Sequence, residues 1–128
     1  FGETDSEHLP HHHAPNLVVY TGTHDNDTSR SWFAALDEPA KARFRDYLGT
    51  SGEDPAWDLI RAAFASVADR AIAPMQDYLG LGAEGRMNVP GRVGENWDWR
   101  ATADAFSPDL AARMRRLAAL TGRAAPGR

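Results

Sequence analysis

The sequence predicts an α/β architecture of about two βα units. Two short apolar runs and the helical segments around them carry this expectation. Leu17-Val18-Val19-Tyr20 is a continuous β-rich run of the length found in strands covered by helices on both faces. A second short apolar stretch surrounds Ile72, and helix-periodic segments fill the interval between the two and close the chain.

Composition narrows what such a fold can do. The chain has 128 residues, 14 Lys+Arg against 18 Asp+Glu, a formal charge of −4, 42% hydrophobic residues and no cysteine. The apolar fraction supplies a core, and no apolar run reaches the roughly 18 residues that a membrane span requires, so no membrane partner is expected. A mildly acidic total offers no field for a phosphate backbone, which argues against nucleic acid as the partner. Without cysteine there are no disulfides, thiolate nucleophiles or thiolate metal sites, and a reducing, cytoplasmic location is expected. The chain opens at Phe1 with no Met and no basic leader, so it is expected to begin mid-protein.

Residues 1–15 hold two prolines, four histidines and no hydrophobic period, and predict a loop; residues 16–122 predict the βα units, and 123–128 a frayed tail. After the strand at 17–20, residues 21–28 (TGTHDNDT) contain no core-forming side chain, and Trp32, Phe33 and Leu36 then resume at helical spacing in a helix from about Thr28. A second helix follows Asp37, with Phe44, Tyr47 and Leu48 on one side and Gly49 as its stop. The third has Asp54 as N-cap, Pro55 in its first turn, and Trp57, Ile60 and Phe64 on one face. A strand is expected near 70–73, ended by Pro74. Residues 76–100 are glycine-dense and predict a long irregular loop, ordered by Trp97 and Trp99. The last helix, Pro108 to Thr121, has Ser107 as cap, a face of Leu110, Met114, Leu117 and Ala118, and Gly122 just past its end. Two parallel strands make no stable sheet alone, so further strands are expected outside this chain.

Chemistry belongs at the exit of the first strand. Thr23-His24-Asp25-Asn26-Asp27 stands where α/β proteins open their ligand clefts, and its carboxylates and imidazole suit acid, base or hydroxyl-binding work. Asp25 and Asp27 also read as ordinary helix caps. His8, His11, His12 and His13 lack a regular ligand spacing, so no metal is expected. Trp97 and Trp99, beside Asn96, Asp98 and Arg100, suit either sugar packing or pinning of the loop.

Four motifs in order make the sequence recognisable: VYTGTHDNDT at 19–28, QDYLGLG at 76–82, RMNVPG at 86–91 and NWDWR at 96–100. Together they closely resemble the C-terminal part of 4-α-glucanotransferases, the amylomaltase or disproportionating-enzyme family. The resemblance spans about residues 8–121 and implies the last two βα units of a (β/α)₈ TIM barrel. It implies a retaining transfer of an α-1,4-glucan segment to the 4-hydroxyl of an acceptor glucose or glucan, with no cofactor. Partners would be malto-oligosaccharides and other α-1,4-glucans, with the rest of the barrel lying upstream of Phe1. By motif match, Asp25 is the family's third carboxylate, which holds donor-sugar hydroxyls, and His24 and Asn88 bind substrate. The Asn88–Gly91 turn resembles the family's mobile loop over the acceptor side. Nothing in this chain matches the motifs of the family's nucleophile and acid/base, so the chain alone is expected to be inactive. The rival expectation is a carbohydrate-binding segment without catalysis, and a third is a helix-rich structural domain in which the polar strand exit only caps a helix.

Overall fold

A computed structural model describes residues 4–124. Strand β1, Val18–Tyr20, pairs in parallel with β2, Arg70–Ile72, in the register Val18↔Arg70, Val19↔Ala71 and Tyr20↔Ile72. Parallel pairing forces a crossover, and three helices make it: α1 (Ser29–Ala35), α2 (Glu38–Leu48) and α3 (Pro55–Ala65). The short α4 (Met75–Tyr78) follows β2, and α5 (Pro108–Leu120) closes the described chain.

The helix ends follow local chemistry. Thr28, Asp37 and Ser107 each accept a backbone N–H in the first turn of α1, α2 and α5 through their side chains. Gly49 stops α2 in the left-handed region, φ 64°, where a Cβ would be strained. Asp54 occupies the cap position of α3 without a capping bond from its side chain. Its carboxylate instead accepts from the Arg113 guanidinium of α5 at 3.0 Å, and that guanidinium stacks 3.6 Å from the Trp57 ring centre.

The core lies between the helices and under β2. Trp57 and Ile60 of α3 meet Leu117 of α5, with Phe64, Ala73, Tyr78, Leu110 and Met114 packed around them. Ile60 and Phe44 are completely buried, and Phe44 stacks on Phe33 at 4.8 Å between ring centres, which joins α2 to α1.

Four expectations need correction. Val18 and Tyr20 are exposed rather than buried on both faces, because strand side chains alternate and the described residues leave open the face that these two share with Arg70 and Ile72, while Val19 and Ala71 on the other face are half-buried. The 1–15 loop contains a 3₁₀ turn at Pro10–His12, with Leu9 buried beneath it. The 76–100 segment is irregular only in part, since α4 reaches Tyr78 and a 3₁₀ turn spans Ala83–Gly85. Arg123 does not fray: its guanidinium donates to the carbonyls of Phe64, Ser66 and Ala68 at 2.7, 3.0 and 2.8 Å, satisfying acceptors at the end of α3. The tail from 125 to 128 lies outside the described residues.

Candidate active site at the exit of β1

The segment between Tyr20 and α1 is a tight polar loop closed by its own side chains. Asn26 Oδ1 accepts the Thr23 backbone N–H at 2.8 Å and the Thr23 hydroxyl at 3.0 Å. Asp27 accepts from the Thr28 N–H and the Ser31 hydroxyl, both at 2.8 Å, and Thr28 Oγ1 accepts the Ser31 N–H. Thr28 is therefore the cap and Asp27 its support, and the capping role considered for Asp25 falls to them.

Asp25 does different work. Its Oδ1 accepts the Asn88 amide at 2.6 Å and lies 3.3 Å from His24 Nε2. Both Asp25 and His24 side chains stay about half exposed, with hydrogen-bonding capacity still facing outward. Sixty-three residues separate Asp25 from Asn88 in sequence, and one guanidinium bridges the gap. Arg86 donates from Nη2 to the Asp25 carbonyl and from Nε to the Asn88 carbonyl, each at 3.0 Å, so a single planar fork holds the backbone of both residues. Gly85 lets the chain turn tightly just before it: a Cβ there would stand 2.9 Å from Leu81 Cβ.

The 87–97 loop completes the arrangement. A turn at Val89–Arg92, with Pro90 second and Gly91 third at φ 79°, has the type II pattern and is closed by Arg92 N–H to the Val89 carbonyl at 3.1 Å. Asn96 Oδ1 accepts the Val89 N–H, and the Trp97 N–H bonds the Met87 carbonyl at 2.7 Å. Trp97 sits at φ 66°, a strained conformation for a bulky residue, and this places its indole 5.0 Å from the His24 ring. Of the two tryptophans, Trp97 meets the site, and Trp99 is half-buried further along the loop.

A cleft of about 470 Å³ opens beside this cluster, walled by Tyr20, His24, Asp27, Arg86, Met87 and Trp97 among others. Asp25 and Asn88 stand just beyond its lining and join it through His24 and Arg86. A carboxylate, an imidazole and a carboxamide within hydrogen-bond reach can hold neighbouring hydroxyls, with an aromatic face alongside for their C–H surface. The histidine-rich loop is elsewhere. His11 Nδ1 lies 2.7 Å from the Tyr47 hydroxyl, His12 bonds the Ser6 carbonyl, and His13 meets the His8 carbonyl. Among the described residues no group of three or more His, Asp or Glu is placed to hold a metal ion, and no helix is long and apolar enough to cross a membrane.

Reading along the sequence missed Arg86 and Asp77 as individual residues, although both lie inside the recognised motifs. Asp77 is a carboxylate in a stretch that otherwise packs on the core, and that mismatch was the available signal.

A polar cluster at the carboxyl end of a parallel strand, opposite a loop that follows the next strand, defines the class: an α/β protein with its cleft at the strand ends. A family model described as 4-alpha-glucanotransferase matches residues 1–105, and the chain belongs to that family. It is 48% identical over 126 residues to the chloroplastic/amyloplastic 4-alpha-glucanotransferase of Arabidopsis thaliana, covering 95% of this chain and 22% of that protein. Against the 4-alpha-glucanotransferase of Clostridium butyricum the identity is 41%, covering 95% of this chain and 26% of the relative. Amylomaltase from Streptococcus agalactiae, solved in complex with acarbose, superposes with a TM-score of 0.90 at 31% identity over 94% of this chain and 25% of its own. The chain thus spans about a quarter of the length of these relatives.

Proposed function

We propose that this chain is the C-terminal part of a retaining 4-α-glucanotransferase and supplies the third carboxylate, Asp25, to its active site. The observation that carries the reading is Asp25 joined to Asn88 at 2.6 Å and flanked by His24, in a chain 48% identical to a 4-alpha-glucanotransferase. In this reading an aspartate on an earlier strand attacks the anomeric carbon of the donor glucan. A glutamate protonates the departing 4-oxygen, and a covalent glycosyl-enzyme forms. The same glutamate then takes the proton from an acceptor 4-hydroxyl, which attacks that carbon and releases the nucleophile. Malto-oligosaccharides and other α-1,4-glucans serve as donor and acceptor, and no step uses a cofactor.

This chain's residues act on the donor sugar. The Asp25 carboxylate accepts two sugar hydroxyls in charge-assisted bonds and faces the positive charge that develops on the ring. Asn88 orients that carboxylate and, with His24, hydrogen-bonds the same sugar. The 87–97 loop beside the cleft helps to exclude water, which favours transfer over hydrolysis. The open edges of β1 and β2 are completed by barrel strands upstream of Phe1, which also carry the nucleophile and acid/base. Cytoplasmic residence belongs to the same reading on the cysteine-free composition, whereas the Arabidopsis relative is chloroplastic/amyloplastic. Conversion of maltotriose to glucose and longer maltodextrins by the complete protein tests the proposal. Binding of malto-oligosaccharides without turnover would favour a carbohydrate-binding role instead.

A further inference from the structure

Asp77 carries a carboxylate that is only 2% exposed, and the transfer reaction described above gives it no role. Its partners all belong to the two ends of the site loop. Oδ2 accepts the Thr21 hydroxyl and the Ser29 hydroxyl, both at 2.7 Å, and Oδ1 accepts the Ser29 backbone N–H at 2.8 Å. Thr21 is the first residue after β1 and is tied to the sheet by its N–H to the Ile72 carbonyl. Ser29 is the first residue of α1. Residues 22–28, with His24 and Asp25 among them, are therefore a loop whose two ends converge on one carboxylate delivered by α4. Three donors satisfy an anion that would otherwise be costly to bury, and charge-assisted bonds of this length leave little play. Arg86 fixes the middle of the same loop through the Asp25 carbonyl.

We propose that Asp77 is a positioning residue for catalysis: it clamps Thr21 to Ser29 and so sets where the Asp25 carboxylate stands relative to the sugar. The proposal rests on the assignment of Asp25 given above. A carboxylate that stabilises a transition state works only in the right place, and a displacement of about 1 Å costs roughly 100-fold in rate. Ground-state binding, shared among many contacts along the glucan, is far less sensitive to such a shift.

The test is steady-state kinetics of maltotriose disproportionation by the complete protein, with rates normalised to the folded fraction from circular dichroism. Asp77→Ala should lower kcat about 100-fold with KM within about threefold of wild type. Asp77→Asn keeps an oxygen for the Ser29 N–H and should recover part of that loss. Thr21→Val leaves Asp77 in place and removes one donor; it should lower kcat about tenfold, and it decides the matter should Asp77→Ala not fold. Per-molecule kcat within twofold of wild type in folded Asp77→Ala, or in Thr21→Val where the alanine variant does not fold, overturns the inference. Asp25→Asn measured alongside separates the two proposals. If it lowers kcat about 100-fold or more while the clamp variants stay within twofold of wild type, only the clamp is wrong; if it leaves kcat unchanged, the assignment of Asp25 fails and the clamp with it.

Discussion

Asp25→Asn in the complete protein is the sharpest perturbation of the proposed site. Asparagine matches aspartate in size and retains Oδ1, so the 2.6 Å bond from Asn88 and the Arg86 bond to the backbone carbonyl both survive. Geometry is preserved and one negative charge is removed. Two contributions set the magnitude. Hydrogen bonds to a charged acceptor are worth about 1.5–3 kcal/mol each against about 1 for neutral ones, and part of that difference is present only as the transition state forms. A unit charge roughly 5 Å from the developing oxocarbenium is worth about 3 kcal/mol at an effective dielectric of about 20. Together they give about 3 to 5 kcal/mol, or roughly 10² to 10⁴ in kcat. KM for maltotriose should change far less, because the neutral amide still accepts a hydroxyl. Initial rates of glucose release across a maltotriose series supply both constants. If Asp25 served only to tie its loop to Asn88, the substitution would leave kcat within a few-fold, since the asparagine oxygen still accepts that bond. That result would refute the reasoning.

Other outcomes follow from the same contacts. The 128-residue chain alone should give no detectable disproportionation of maltotriose, because the proposed reading puts the nucleophile on strands outside it and no glycosyl-enzyme can form without one; longer maltodextrins in a chromatogram would contradict this. Asp27→Asn should keep kcat within a few-fold and cost about 1 kcal/mol of stability, because Asp27 is committed to the Thr28 N–H and Ser31 hydroxyl at the start of α1. Ile60→Ala, at a completely buried position between α3 and α5, should cost about 2–5 kcal/mol in denaturant unfolding. Burial, with the Asp77 carboxylate beside it, pushes the Tyr78 phenol above its ordinary value of about 10. The unfolded chain ionises first, so the stability linked to this group is complete below about pH 10 and lost as pH rises through the folded value. Tyr78→Phe should therefore soften the fall of melting temperature on the alkaline side, and an unchanged alkaline limb would count against the burial argument.

Much of the secondary structure was legible because its causes are local. Proline in the first turn of α3 and α5, Ser107 as cap and Gly49 in the left-handed region act through neighbours a few residues away, so the limits of α1, α2, α3 and α5, though not α4, could be read within a residue or two. The apolar periods of Trp57, Ile60 and Phe64 and of Leu110, Met114 and Leu117 likewise announced the faces that meet in the core. Asp25, His24 and Asn88 could be named from motifs alone. Their mutual geometry could not, because contacts across 63 residues depend on how the second βα unit folds back on the first. Only the tertiary structure decided that Asp54 pairs with Arg113 rather than capping α3, and that Arg123 is anchored rather than frayed. Each is a polar group whose partner lies far along the chain, and composition carries no record of which donor finds which acceptor. Arg86 and Asp77 belong to the same class. A guanidinium and a carboxylate are ordinary surface groups until folding places several fixed hydrogen-bonding partners around them.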